Sequence, residues 1–153
     1  MKELLDAMIY SSKQFAKEIV ETGNNELPLT LFTLDGMTGS ILITLIFEEH
    51  KSQLKAILRN VGADYYVLVG EAWQTILQQD SPKLDQLYSG DMRVSDLPLD
   101  DRKEMLIIVA AENGRTTIVE SSVIVRDKDN KRRVTTWLND LTGSTGRLVI
   151  DKW

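Results

Sequence analysis

Apolar residues recur at helical spacing over residues 2–22. Leu5, Ile9, Ser12, Phe15, Ala16, Ile19 and Val20 share one face, and Lys, Glu and Gln fill the rest. Gly23 and Asn24 follow, residue types that end helices in the left-handed region. The spacing predicts an amphipathic helix packed on a core. The next two apolar runs, LTLFTLD (29–35) and SILITLIF (40–47), flank Gly-Met-Thr-Gly. They read as a hairpin with a four-residue loop. Apolar residues occupy both faces of the first run, Leu31 on one and Phe32 and Leu34 on the other, so cover on both sides is expected.

EEHKSQLKAILRNVGAD (48–64) predicts a second helix. His50, Leu54, Ile57, Leu58 and Val61 form its stripe, Glu48 and Glu49 sit where the macrodipole favours anions, and Gly62 closes it. DYYVLVGEAWQ (64–74) is a strand. Residues 75–101 are the least regular stretch, with two prolines, a Ser-Gly-Asp turn signal and room for a helical turn at 82–88. So long a connection is expected to be a lid, a binding loop or a partly disordered segment. RKEMLIIVAAE and RTTIVESSVIVRD then flank Asn113-Gly114, the residues of a type I′ hairpin turn. A second turn at Lys128-Asp129-Asn130 leads to KRRVTTWL, and GRLVIDKW offers a last short strand. The order α-β-β-α-β-β-β-β is that of one α+β domain over residues 1–153, a mainly antiparallel sheet of five to seven strands with two main helices.

Composition narrows the chemistry. The 153 residues include no cysteine and one histidine. Disulfides and thiolate metal sites are thereby excluded, and a reducing, cytoplasmic setting is expected. The first 23 residues lack the unbroken apolar run of a signal peptide. No window approaches the roughly 20 apolar residues that span a bilayer, so no membrane partner is expected. The net charge of −5 disfavours nucleic acid, whose binders draw affinity from neutralising phosphates.

VLVGEAWQ, a proline-containing polar gap, and then DDRKEMLIIVAAENGRTTIVESSVIVRDKDNKRRV carry a resemblance. Residues 64–134 resemble a loose group of small uncharacterised microbial and phage-type proteins. In that group a strand ending in Glu-Ala-Trp precedes an Arg-Lys-Glu-led strand and a meander with two tight turns. The resemblance implies the strand boundaries and no activity.

Catalytic signatures are few. A Ser-His-Asp triad would have to use His50, and no serine sits in a Gly-x-Ser-x-Gly turn. GMTGS and GSTG lack the lysine and the strand-loop-helix order of a phosphate cradle. EHK at 49–51 has a nuclease-like spacing but opens a helix. Carboxylates remain: Asp35, Glu71, Glu112 and Glu120 fall at or near strands. Glu71 with Asp35 or Glu120 would suit Mg²⁺ or Mn²⁺ in a hydrolase or nuclease-like enzyme. Glu71 shares a strand face with Val69 and Trp73, and at a strand end Trp73 either caps the core or forms one wall of a cleft. Glu71 serves either as a functional carboxylate or as the partner of a neighbouring Arg or Lys, and the pairing is expected. The turn 126–133 offers Arg126, Lys128, Lys131, Arg132 and Arg133 as contacts for phosphate or an acidic partner, with Arg132 and Arg133 on opposite strand faces. The residues call for no cofactor. The leading expectation is a non-enzymatic accessory or interaction protein, of the kind a phage or mobile element carries, that works through a protein surface. The metal-dependent enzyme is the first alternative, and a weak nucleic-acid binder acting through the basic turn is the second.

Overall fold

A computed structural model describes residues 2–23, 26–75, 80–93, 96–98, 102–139 and 149–153. Helix α1 spans Lys2–Thr22, a 3₁₀ segment spans Glu48–Gln53, α2 spans Leu54–Asn60 and α3 spans Pro82–Ser89. The strands are β1 (Thr30–Leu34), β2 (Ile41–Leu45), β3 (Tyr65–Thr75), β4 (Arg102–Glu112), β5 (Ile118–Arg126) and β6 (Arg132–Val134). They form one sheet in the order β2-β1-β3-β4-β5-β6, with every pairing antiparallel. The class is α+β, as the pattern of elements predicts.

The long central strand β3 explains its own sequence. Tyr65, Val67 and Val69 point into a core closed by α1 through Leu5, Met8, Ile9, Ala16 and Val20. Tyr66 and Leu68 point the other way, into a core built with Leu54, Leu58 and Val119. A strand covered on both faces loses the polar alternation of a half-exposed one, which is why residues 65–69 read as an unbroken apolar run. Ser12 sits buried inside the α1 stripe at little cost, because its hydroxyl donates to the Met8 carbonyl at 2.8 Å.

Several expectations are corrected. Residues 48–64 are not one α-helix. Phe47, at the N-cap, has no side-chain acceptor for the first free N–H groups, and the chain tightens into a 3₁₀ turn before α2 begins. Leu54 and Leu58 are buried as the stripe requires, but Val61 is 39 % exposed at the helix end. His50 is half-buried, with its ring edge-on to Phe47. The Asn113-Gly114 turn is not type I′. Only Gly114 adopts positive φ (84°), and Arg115 N–H closes the turn on the Glu112 carbonyl, the pattern of type II. Asn113 is held instead by the chain end: its Oδ1 accepts from Trp153 N–H and its Nδ2 donates to the Trp153 carbonyl, both at 3.0 Å. For the same reason residues 149–153 form no strand. They lie across the second core, where Ile150 N–H donates to the Tyr66 hydroxyl at 3.0 Å and Trp153 Nε1 to the Ala63 carbonyl at 2.7 Å. Within the 75–101 connection, α3 is capped by Ser81 and closed by left-handed Gly90, and Leu97 is buried. Residues 76–79, 94–95 and 99–101 of that connection lie outside the described residues, as do Asn24 and residues 146–148 of GRLVIDKW.

Candidate functional site

Glu71, Trp73, Arg126 and Arg132 come together on the α1 face of the sheet, beyond the C-terminal end of α1. Residues 69, 71 and 73 of β3 alternate onto this face and pair with Ile108, Leu106 and Glu104 of β4. Arg126 and Arg132 are opposite each other on β5 and β6 and share the same face. The sheet curls enough for Arg132, three strands away, to donate from Nη1 to Glu71 Oε1 at 2.6 Å. That oxygen also accepts from Leu27 N–H at 2.9 Å. The two side chains are only 10 % and 7 % exposed. Beside them Arg126 Nη2 donates to Glu104 Oε1 at 2.7 Å, and Arg102 stacks over the Trp73 ring at 4.0 Å. Glu26 completes a shallow cleft of about 200 Å³.

The cleft matches acid with base. Glu71 accepts at Oε1 from a guanidinium and a backbone N–H. Glu104 has one oxygen paired and the other, Oε2, buried with no hydrogen-bond partner among the described residues. Asp35 is elsewhere. It ends β1 at the opposite end of the sheet, where its Oδ1 accepts from Met37 N–H at 2.9 Å to hold the hairpin turn. Its neighbour in register is Asp64, seven residues along β3 from Glu71, which is about 23 Å at strand rise. Glu120 is two strands over, bonded to Lys13 of α1 at 3.0 Å. Glu112 closes the β4 turn through its carbonyl. The expected carboxylate sets are therefore not brought together, and no group of three or more metal-ligating side chains occurs among the described residues.

The basic turn divides as its strand alternation predicts. Arg132 is buried and Arg133 is exposed, 3.6 Å from Asp127. Lys128 and Lys131 project into solvent. The backbone N–H of Lys131 acts first, joined by that of Asp129 and the charge of Arg133, to hold the Asp127 carboxyl below its usual range.

A second feature went unread in the sequence. Strand β2 is an edge strand, and its apolar side chains face water: Ile41 is 59 %, Ile43 61 % and Leu45 49 % exposed. All three share the α1 face with their partners Leu34, Phe32 and Thr30. Helix α1 packs over β3, β4 and β6, so this margin of the sheet is uncovered. A groove of about 240 Å³ runs between Leu4, Ala7 and Met8 of α1 and Phe32, Gly39 and Ile41 of the hairpin. The backbone is also open. Ile46 N–H bonds inward to the Leu29 carbonyl and the Ser40 carbonyl accepts from Asp35 N–H. Even-numbered residues therefore spend their polar groups on β1, and Ile41, Ile43 and Leu45 aim theirs outward. The available signal was the absence of any charge or proline from residue 36 to residue 47. A protected edge strand normally carries one or the other.

Comparisons with protein-family models, with curated proteins and with solved structures find no match to this chain. No helix among the described residues is long and apolar enough to cross a membrane.

Proposed function

We propose that this is an interaction protein that works by taking up an extended segment of another protein chain along β2. The observation that carries this reading is the edge itself: an uncharged strand with outward backbone donors and acceptors and a row of solvated Ile and Leu side chains. Strand addition to such an edge supplies main-chain hydrogen bonds for affinity and side-chain contacts for specificity. The opposite edge is unlike it. Strand β6 is three residues long, carries Arg132 and Arg133, and is followed by a segment that runs on beside β5 to the Ser121–Leu138 bridge. The metal-dependent alternative has less support, because Glu71 is engaged by Arg132 and Leu27 while Asp35 and Glu120 are held at other places.

The test is a photo-reactive side chain placed at Leu45 in the cells that make this protein, with the same group at exposed Lys55 of α2 as control. A discrete protein adduct from position 45, none from position 55, and its loss when Ile43→Lys is added are expected. No adduct from position 45, or one indifferent to Ile43→Lys, would overturn the reading.

A further inference from the structure

We infer that the chain taken up by β2 is β2 of a second copy, in an antiparallel register centred on Ile43. This rests on the reading that the β2 edge is the working surface, and adds the partner. Two-fold pairing about the middle of β2 overlaps the whole strand when its odd-numbered residues direct N–H and C=O outward. Ile43 does so, and so do Ile41 and Leu45, which would meet Leu45 and Ile41 of the second copy. Each of these opposed pairs can exchange both of its bonds. A register centred on Leu42 or Thr44 overlaps less of the strand, since it sets Leu45 opposite Gly39 or Ile41 opposite Phe47.

Side chains agree with the backbone. Opposed residues in a sheet share a face, so Ile41, Ile43 and Leu45 of both copies form one apolar band, with flanks that face water in a single copy now in contact. The same register sets Phe47 of the second copy opposite Gly39. Phe47 is exposed and its backbone is extended (φ −84°, ψ 160°), so the strand direction continues through it. Gly39 lines the apolar groove beneath α1, and a Cβ added there would meet nothing within 4 Å. A cavity of roughly 150 Å³ lined by aliphatic side chains accepts a benzene-sized ring, and this groove offers about 240 Å³. Charge does not oppose the approach. The chain carries a net −5, yet the segment that meets its own copy, residues 36–47, has no ionisable side chain. The contact is isologous and closes at two copies, which joins two six-stranded sheets without leaving a β2 edge exposed.

The experiment has two arms. Sedimentation velocity of the purified chain over micromolar concentrations should show a species of twice the chain mass, and Ile43→Lys, which sets like charges face to face on the axis, should return it to a single chain with unchanged circular dichroism. Because the protein has no cysteine, Ile43→Cys gives one thiol per copy. Hydrogen-bonded pairs sit with Cα atoms about 5.5 Å apart, inside the disulfide range, so copper-phenanthroline should oxidise two such thiols to one inter-chain disulfide. Tyr88→Cys, exposed on α3, should not cross-link. A chain that stays single at every concentration would overturn the self-pairing. So would a dimer that survives Ile43→Lys without an Ile43→Cys disulfide. An adduct at position 45 with a different protein, alongside a single-chain sedimentation result, would remove this inference and leave the interaction reading standing.

Discussion

Arg132 on the edge strand β6 reaches across β5 and β4 to bond Glu71 of β3 at 2.6 Å, although the two residues are 61 positions apart in the chain. The same carboxylate oxygen takes the N–H of Leu27, so one side chain fixes the curl of the sheet and the approach of the segment leading to β1. Both side chains are nearly removed from water. In that setting a single missing partner costs more than the pair contributes, because the surviving charge is left uncompensated.

Glu71→Gln is therefore expected to destabilise. The amide oxygen can still accept from Leu27, but Arg132 loses the charge of Glu71, at a cost of up to about 3–5 kcal/mol. Urea unfolding at neutral pH measures it. Replacing both members together, Glu71→Leu with Arg132→Met, should recover most of the loss. A single Glu71→Gln variant that melts above the parent would move this carboxylate from structure toward chemistry.

The α2 stripe gives a graded pair. Leu58 is fully buried between the sheet and α2, and Leu58→Ala should cost about 2–5 kcal/mol. Val61, exposed at the helix end, should lose less than about 0.5 kcal/mol on the same change. Equal losses at the two positions would contradict the packing.

Tyr66 gives a pH signature. Burial chiefly, with the Asp151 charge adding and the Ile150 N–H opposing, pushes its hydroxyl up to about 12 from 10.0. Below the unfolded value both states keep the proton and the stability is complete. As pH rises from 10 toward 12 the unfolded chain ionises first, and stability should fall by up to about 1.4 kcal/mol per pH unit. Unfolding curves across that window, for the parent against Tyr66→Phe, should show the extra slope only in the parent.

The chain end should contribute to stability through one residue. Trp153 meets Tyr66 edge-on at 5.3 Å and donates to the Ala63 carbonyl. Trp153→Ala removes the aromatic pair and the hydrogen bond. The ring is only partly buried, so the loss should fall below the roughly 3–5 kcal/mol of a fully buried tryptophan. Guanidinium unfolding reads it, and a variant as stable as the parent would show that the tail does not hold the second core.

Local pattern determined what depends on near neighbours. The α1 stripe, the β1–β2 hairpin, the β3 run, the helical turn at 82–88, the class of the fold and the opposite facing of Arg132 and Arg133 all follow from local sequence signals, which set side-chain direction before any long-range contact forms. Tertiary structure decided the rest. It chose Arg132 as the cation for Glu71, since only the curl of the sheet brings β6 over β3. It changed the Asn113-Gly114 turn, because the chain end captures the Asn113 side chain that a free hairpin would leave in water. It turned the predicted last strand into a docked tail on Tyr66. It also left β2 uncovered: an apolar strand reads alike at the centre of a sheet and at its edge, and strand order, set by which long-range pairings bury most surface, settles which of the two it becomes.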